Sequence, residues 1–353
     1  MGAIEFTDRG TATRGRQETR TLAQAAVAAL PAPSIFNSQP WRWRVSEAGA
    51  ELRADRARQV RSVDPDGRML TVSCGIALNH ALTSLSAQGA CVDVERVPDR
   101  RDPDLLARLR VLGPGQADPA AARLTALMTV RRTDRRPFAE TTVPQDKLDR
   151  LRAAAEANGA HLHLVRPDDV VGLTVVAGRA SEIEGNDPAY HADLERWTRR
   201  DRAANDGLGA VLDAPGAASG APVARPVPLR DFTGTREHAT AESSVADRTA
   251  RYAVLFTDSD EPVDWLSAGE ALSAILLTAA EEGLAASPMS DMIEVPFARL
   301  RLRSLLSGVG HPVIAIRLGV AADPTPAPAT PRRPADEIIE LVDRRASPVP
   351  HRG

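Results

Sequence analysis

Ser73-Cys74-Gly75-Ile76-Ala77-Leu78 recurs 194 residues later as Ser267-Ala268-Gly269-Glu270-Ala271-Leu272. At the same offset Leu82 matches Leu276, and Gly89 matches Gly283. Ala77, Leu78, Ala81, Leu82 and Leu85 recur at helical intervals and form one broad apolar face. Gly89 and Gly283 stand where a left-handed C-terminal cap belongs. The block therefore predicts a long helix in each half of the chain, and its repetition predicts an internal duplication.

The match extends upstream. Residues 22–30 read as a helix leading into the alternating strand Trp41-Arg42-Trp43-Arg44-Val45. Residues 148–157 read as a helix leading into His161-Leu162-His163-Leu164-Val165. A strand at 252–257 precedes the second glycine-containing helix, and 51–54 is its nearest counterpart in the first half. The repeat predicts two related α+β halves, residues 15–120 and 130–325. The second half carries an insertion, about 182–251, with an amphipathic helix at 193–202 around Leu194 and Trp197 and a Gly/Ala/Pro stretch at 214–228. Insertions of this length in a compact protein are lids, binding loops or disordered segments. Trp197 and Arg230-Asp231-Phe232 favour a packed lid. A proline-rich C-terminal arm, 326–345, is extended and semi-rigid, and it ends in a helix-like segment at 336–342.

Composition is that of a globular protein: 353 residues, 43% apolar and 26% charged, with net charge −3. A duplex nucleic acid would favour a basic footprint, so none is expected as a partner. Cys74 and Cys91 are too few for a disulfide framework and suggest a reducing compartment. The longest apolar run, 271–280, falls short of the roughly 20 residues of a membrane span. The N-terminus shows no apolar signal region. A cytoplasmic protein without a membrane partner is expected. Lys147 is the only lysine among 44 basic residues, a bias that reads as genome base composition rather than function.

Three segments carry chemistry. Pro33-Ser34-Ile35-Phe36-Asn37-Ser38-Gln39-Pro40-Trp41 joins a helix to a strand and offers hydroxyl and amide groups from a rigid loop; alone it is also simply a well-made turn. Arg131-Arg132-Thr133-Asp134-Arg135-Arg136 precedes a helix and offers forked donors to a phosphate; alone it equally suits a solvated basic turn in which Asp134 pairs with its neighbours. Arg332 and Arg333 lie near the end of the proline-rich arm.

Together these segments resemble the nitroreductase superfamily of flavin enzymes. The arginine segment is similar to that family's Arg-Arg-Ser-x-Arg phosphate motif, with Thr133 in the serine place. The first loop is similar to its Pro-Ser-x-x-Asn-x-Gln-Pro-Trp flavin loop, and the arm to its late Arg-x-Pro, although Thr330 stands where many relatives carry lysine. The helix at 265–283 and the turn at 285–290 resemble the segment that passes the flavin ring near N5. The loop occurs only in the first half and the arginine motif only in the second. With the repeat, the resemblance thus implies an α+β fold of two pseudosymmetric halves, each a mostly antiparallel sheet wrapped by helices: a fused pseudo-dimer, able to act as a monomer, with one complete FMN site, as in the branch that includes the mycobacterial Acg proteins.

By that resemblance, Arg131, Arg132, Thr133 and Arg135 bind the FMN phosphate and ribityl oxygens, and Arg332 adds charge. Pro33, Ser34 and Asn37 contact the isoalloxazine ring, and Met289 and Ser290 lie beside N5. No side chain is expected to act as acid or base, because a flavin carries its own hydride chemistry. His161 and His163 lack the further ligands of a metal site. No dinucleotide fingerprint or Walker loop is present, so NAD(P)H is expected as a transient donor over the flavin. The expected activity is reduction of a small organic acceptor (nitroaromatic, quinone-like or specialised metabolite). The alternatives are a lidded, flavin-sequestering or sensing protein with little turnover, and an interaction module in which the three segments lie apart.

Overall fold

A computed structural model describes residues 6–199, 205–212, 225–232 and 247–342, with side chains from residue 14 onward. Of the expected segments, residues 200–202 of the insertion helix, 214–224 of the Gly/Ala/Pro stretch and 343–345 of the arm lie outside them.

The first half runs α1 (Phe6–Ala28), β1 (Trp41–Ser46), β2 (Gly49–Ala54), α2 (Arg68–Ala87), β3 (Ala90–Arg96), β4 (Leu105–Pro114) and α3 (Pro119–Leu127). The second runs α4 (Gln145–Glu156), β5 (His161–Leu164), α5 (Val170–Glu184), α6 (Pro188–Thr198), α7 (Gly209–Leu212), β6 (Arg251–Thr257), α8 (Pro262–Glu281), β7 (Ala285–Met289), α9 (Asp291–Glu294), α10 (Pro296–Leu305) and β8 (His311–Gly319). The arm ends in α11 (Ala335–Ile338) and β9 (Ile339–Leu341). One sheet has the order β3-β4-β2-β1-β9, and the other β5-β6-β8-β7. All pairings are antiparallel except β1 with β9. The protein is α+β, as the sequence implied.

Local sequence explains these elements. Alternation along β1 buries Trp41, Trp43 and Val45 and leaves the arginines between them outside. A capping box between Glu261 and Asp264, with Pro262 at the first helical position, starts α8. The Asp64 carboxylate accepts from the backbone N–H groups of Met69 and Leu70 at 2.9 and 2.8 Å and starts α2. Gly89 and Gly283 both adopt φ +70° just beyond α2 and α8, the cap conformation that favours glycine.

The two repeated helices pack directly on one another. A Cβ on Gly75 would overlap the carbonyl oxygen of Leu266 and lie 2.9 Å from Gly269 Cα. A Cβ on Gly269 would overlap the carbonyl oxygen of Val72 and lie 2.8 Å from Gly75 Cα. Val72 and Leu266 are themselves related by the 194-residue offset. The contact is reciprocal, as across a two-fold axis. Helix α8 is long and apolar enough to cross a membrane by composition alone, which the run at 271–280 did not suggest. Here eleven of its residues are buried.

Three local expectations are corrected. The helix-like segment at 336–342 is one helical turn followed by β9, because Ile339 and Leu341 extend the first sheet beside Trp43 and Val45. The arginine segment does not lead directly into a helix; Thr133 forms a parallel bridge with Ala286, and α4 begins only at Gln145. The expected turn at 285–290 is strand β7, paired along β8.

Candidate functional site

The loop between α1 and β1 is wound tightly. Phe36, Asn37 and Gln39 have φ of +48°, +53° and +49°, a left-handed conformation unusual for residues with side chains. Hydrogen bonds hold it there. Ser34 Oγ accepts from the Gln39 N–H at 2.9 Å, and Ser73 Oγ, from the repeated motif, accepts from the Ile35 N–H at 3.2 Å. The Asn37 amide donates to the carbonyls of Gly207 and Pro331, both at 3.0 Å, and its oxygen accepts from Arg332 at 3.0 Å. Gln39 donates to the Asn205 carbonyl and accepts from the Arg333 N–H. First-half loop, insertion and C-terminal arm are thereby tied at one point.

The arginine segment reaches the same place from the other side. Arg317 on β8 is fully buried, stacked 3.5 Å over Phe138, and donates to the carbonyls of Asp134 and Arg136 at 3.2 and 2.7 Å. Asp247 receives Arg317 at 2.8 Å, Arg225 at 2.8 Å and the Phe138 N–H at 2.7 Å. Replacing Asp247 with Asn should therefore leave two buried guanidiniums uncompensated, at a cost of about 3–5 kcal/mol in urea unfolding.

Two adjoining cavities, about 210 and 90 Å³, open between these elements. Both touch Pro33, Ser34, Phe36, Thr133 and Arg135. The larger is lined further by Arg131, Arg132, Thr330 and Arg332. The smaller is lined by Met69, Val72 and Ile76 of α2, Leu272 and Leu276 of α8, Met289, Ser290 and Asp291, and Leu229, Arg230 and Phe232 from the insertion. All ten sequence-expected site residues thus line one or the other, and the possibility that the three segments lie apart is removed. Asn37 lines only the larger, basic cavity, its side chain engaged by the arm and the insertion.

The charges at the basic end are uncompensated. Arg136 pairs with Asp134 and Asp323. Among the described residues no ion pair reaches Arg131, Arg132, Arg135 or Arg332. Arg131 Nε and Nη1, Arg132 Nε and Arg332 Nε are buried without a hydrogen-bond partner. Burial, and then the charges of Arg332 and Arg132, push Arg131 down to about 9. Burial and Arg132 push Arg332 down to about 10. Buried cations arranged this way call for an anion. The donor set fits a phosphate at one end, and the smaller cavity's apolar walls fit a planar ring.

A sequence model described as the Nitroreductase family matches residues 128–320. A Mycobacterium tuberculosis protein named "Putative NAD(P)H nitroreductase Rv3131" is 35% identical over 92% of each chain. The chain belongs to the nitroreductase family. Its similarity to the M. tuberculosis protein named "Putative NAD(P)H nitroreductase acg" is 30% identity over 92% of this chain and 96% of that one. Among solved structures, the FMN- and NADPH-dependent nitroreductase NfnB from a Sphigopyxis strain is 17% identical with a TM-score of 0.40, covering 62% of this chain and 97% of that one. The family model begins at Met128, so the first-half loop that completes this nitroreductase's cavity lies outside the matched segment.

Sequence reading missed several wall residues. Met69, Val72 and Ile76 were legible only as a helix face, and which face meets a cavity depends on the α2–α8 contact. Asp291 carries no local motif. Arg230 had a signal in its Arg-Asp-Phe setting, though not a role.

Proposed function

We propose that the chain is an FMN-dependent oxidoreductase of the nitroreductase type. The observation that carries this is the cluster of Arg131, Arg132, Arg135 and Arg332, without an ion pair among the described residues and with buried, unpartnered Nε atoms on Arg131, Arg132 and Arg332, at one end of an apolar-walled cavity. Arg131, Arg132, Thr133, Arg135 and Arg332 would hold the phosphate and ribityl oxygens. Pro33 and Ser34 would meet the ring, with Met289 and Ser290 beside N5, and Asn37 would position Arg332. When bound, FMN supplies two-electron hydride transfer, with NAD(P)H as the transient donor and a small organic molecule as acceptor. The chain's own contribution is to orient the cofactor, neutralise its phosphate and exclude water from the ring. The names carried by the mycobacterial relatives support this reading, and we place the protein in the cytoplasm.

We read the two halves as a fused pair with one site per chain. At the repeat offset Ile76, a cavity wall, corresponds to Glu270, and Ser290 corresponds to Arg96. Glu270 and Arg96 form a two-pronged ion pair at 2.6 and 2.8 Å, so charge fills the place where the mate of the ring cavity would lie. Purified protein should be yellow and bind one FMN per chain. Anaerobic mixing with NADPH or NADH should bleach the oxidised-flavin absorbance. A second reading, flavin sequestration, is favoured by the insertion residues Leu208, Val211, Leu229 and Phe232 in the cavity walls. Fast bleaching of the intact protein by either donor decides against sequestration; no bleaching removes NAD(P)H as the donor, and bleaching that appears only after deletion of residues 190–245 decides for sequestration.

FMN affinity should depend on pH in a defined way. Below about pH 6 the phosphate loses its second charge and binding weakens. The free-protein arginines are depressed to about 9 and 10. Above about pH 9 binding must therefore take up protons, and affinity falls again. Fluorescence titration of FMN from pH 5 to 10.5 should show this plateau.

A further inference from the structure

Arg230 belongs to the insertion and forms part of the wall of the ring cavity. Its Nη2 donates to Glu184 of α5 at 3.3 Å and pairs with Glu294 of α9. Its guanidinium lies 5.0 Å from the Phe36 ring centre and 5.8 Å from that of Tyr190. Nη1 is buried and has no partner.

Burial pushes Glu184 up to about 10, and its carboxyl hydrogen-bonds Glu294. Burial alone would lower the Arg230 pKa, but the attraction of Glu294 and Glu184 outweighs it, so the guanidinium keeps its proton. Tyr190 from α6, Asp64 ahead of α2 and Arg135 at the cavity junction are the other titratable groups interacting with this cluster. Asp291 lines the same cavity and faces Arg230 without an ion pair of its own among the described residues.

We infer that Arg230 is the specificity-determining contact for the acceptor: its unpartnered Nη1 binds an uncharged carbonyl or nitro oxygen of a planar molecule stacked on the flavin ring. A neutral oxygen satisfies the buried N–H at no electrostatic cost. A carboxylate would meet a guanidinium already neutralised by Glu294, with Asp291 beside it, and is disfavoured. The insertion thereby contributes recognition as well as cover. This rests on the cavity being the FMN ring site.

The test uses FMN-loaded protein and three non-reducible probes of similar shape: benzamide, benzoate and toluene. Each is titrated by its perturbation of the flavin absorbance, a reading that needs no turnover. Benzamide should bind at least tenfold more tightly than either of the others. Arg230→Lys keeps the charge opposite Glu294 but removes the second amino group, and should erase that preference. Arg230→Met with Glu294→Gln removes both partners together, protecting folding, and should do the same. FMN content and affinity of both variants are read in parallel. Benzamide selectivity that survives in a yellow variant overturns the inference. Loss of FMN affinity in both variants, with the probe preference retained in whatever holoprotein remains, overturns it as well, by assigning Arg230 to the flavin. A colourless parent protein instead overturns the FMN reading beneath it.

Discussion

Arg131→Met is expected to make the flavin-free protein more stable and to make FMN binding weaker. The two effects share one cause. Arg131 is buried, two of its nitrogens lack partners, and its neighbours Arg132 and Arg332 repel it. An unsatisfied buried donor costs roughly 1–3 kcal/mol, so methionine should return about that much to the empty protein. With phosphate bound the sign reverses, because a hydrogen bond to a charged group contributes about 1.5–3 kcal/mol. Affinity should then fall about 10- to 150-fold. Urea unfolding of the flavin-free forms and FMN titration measure the two halves separately. An unchanged FMN affinity would falsify the assignment of this cavity to the phosphate. Arg132→Ala combined with Arg135→Ala should weaken binding further, by roughly 3–6 kcal/mol if the two act independently.

The second large effect is expected at the helix crossing. Gly75→Ala places a methyl group against the backbone of α8, and Gly269→Ala places one against α2. Backbone cannot rotate away as a side chain can, so the helices must part. Each variant should lose about 3 kcal/mol, the upper end for overpacking. The double variant should lose clearly less than the sum, since helices already separated by one methyl accommodate the other at reduced cost. Because α2 supplies Met69, Val72 and Ile76 to the ring cavity and α8 supplies Leu272 and Leu276, FMN affinity should fall alongside the denaturation midpoint. A fully additive double variant would show that the two glycines do not report one contact.

These same glycines show what a sequence can disclose. Their repetition marked both helices and both caps, since helix periodicity and left-handed caps are local properties. The convergence of Ser34, Arg131 and Arg332 was legible only through family resemblance; no periodicity links positions so far apart. The ion-paired wall around Arg230 was less legible still. Its glutamates lie on α5 and α9, elements whose faces are set by tertiary packing, and a buried carboxyl looks like any surface glutamate when read along the chain. The arm's last turn was misread because Ile338 and Ile339 suit a helix face and a strand equally, and the open edge of β1 decided between them.

Strand β9 and Arg332 also fix an order of events during biosynthesis. The segment that finishes the basic cavity and closes the edge of β1 follows every other strand of both sheets along the chain. The nascent chain can assemble both sheets while that cavity is still missing a wall. Flavin capture is therefore expected only once the arm has emerged, and ribosomes stalled just before the arm should display folded chains that hold no flavin.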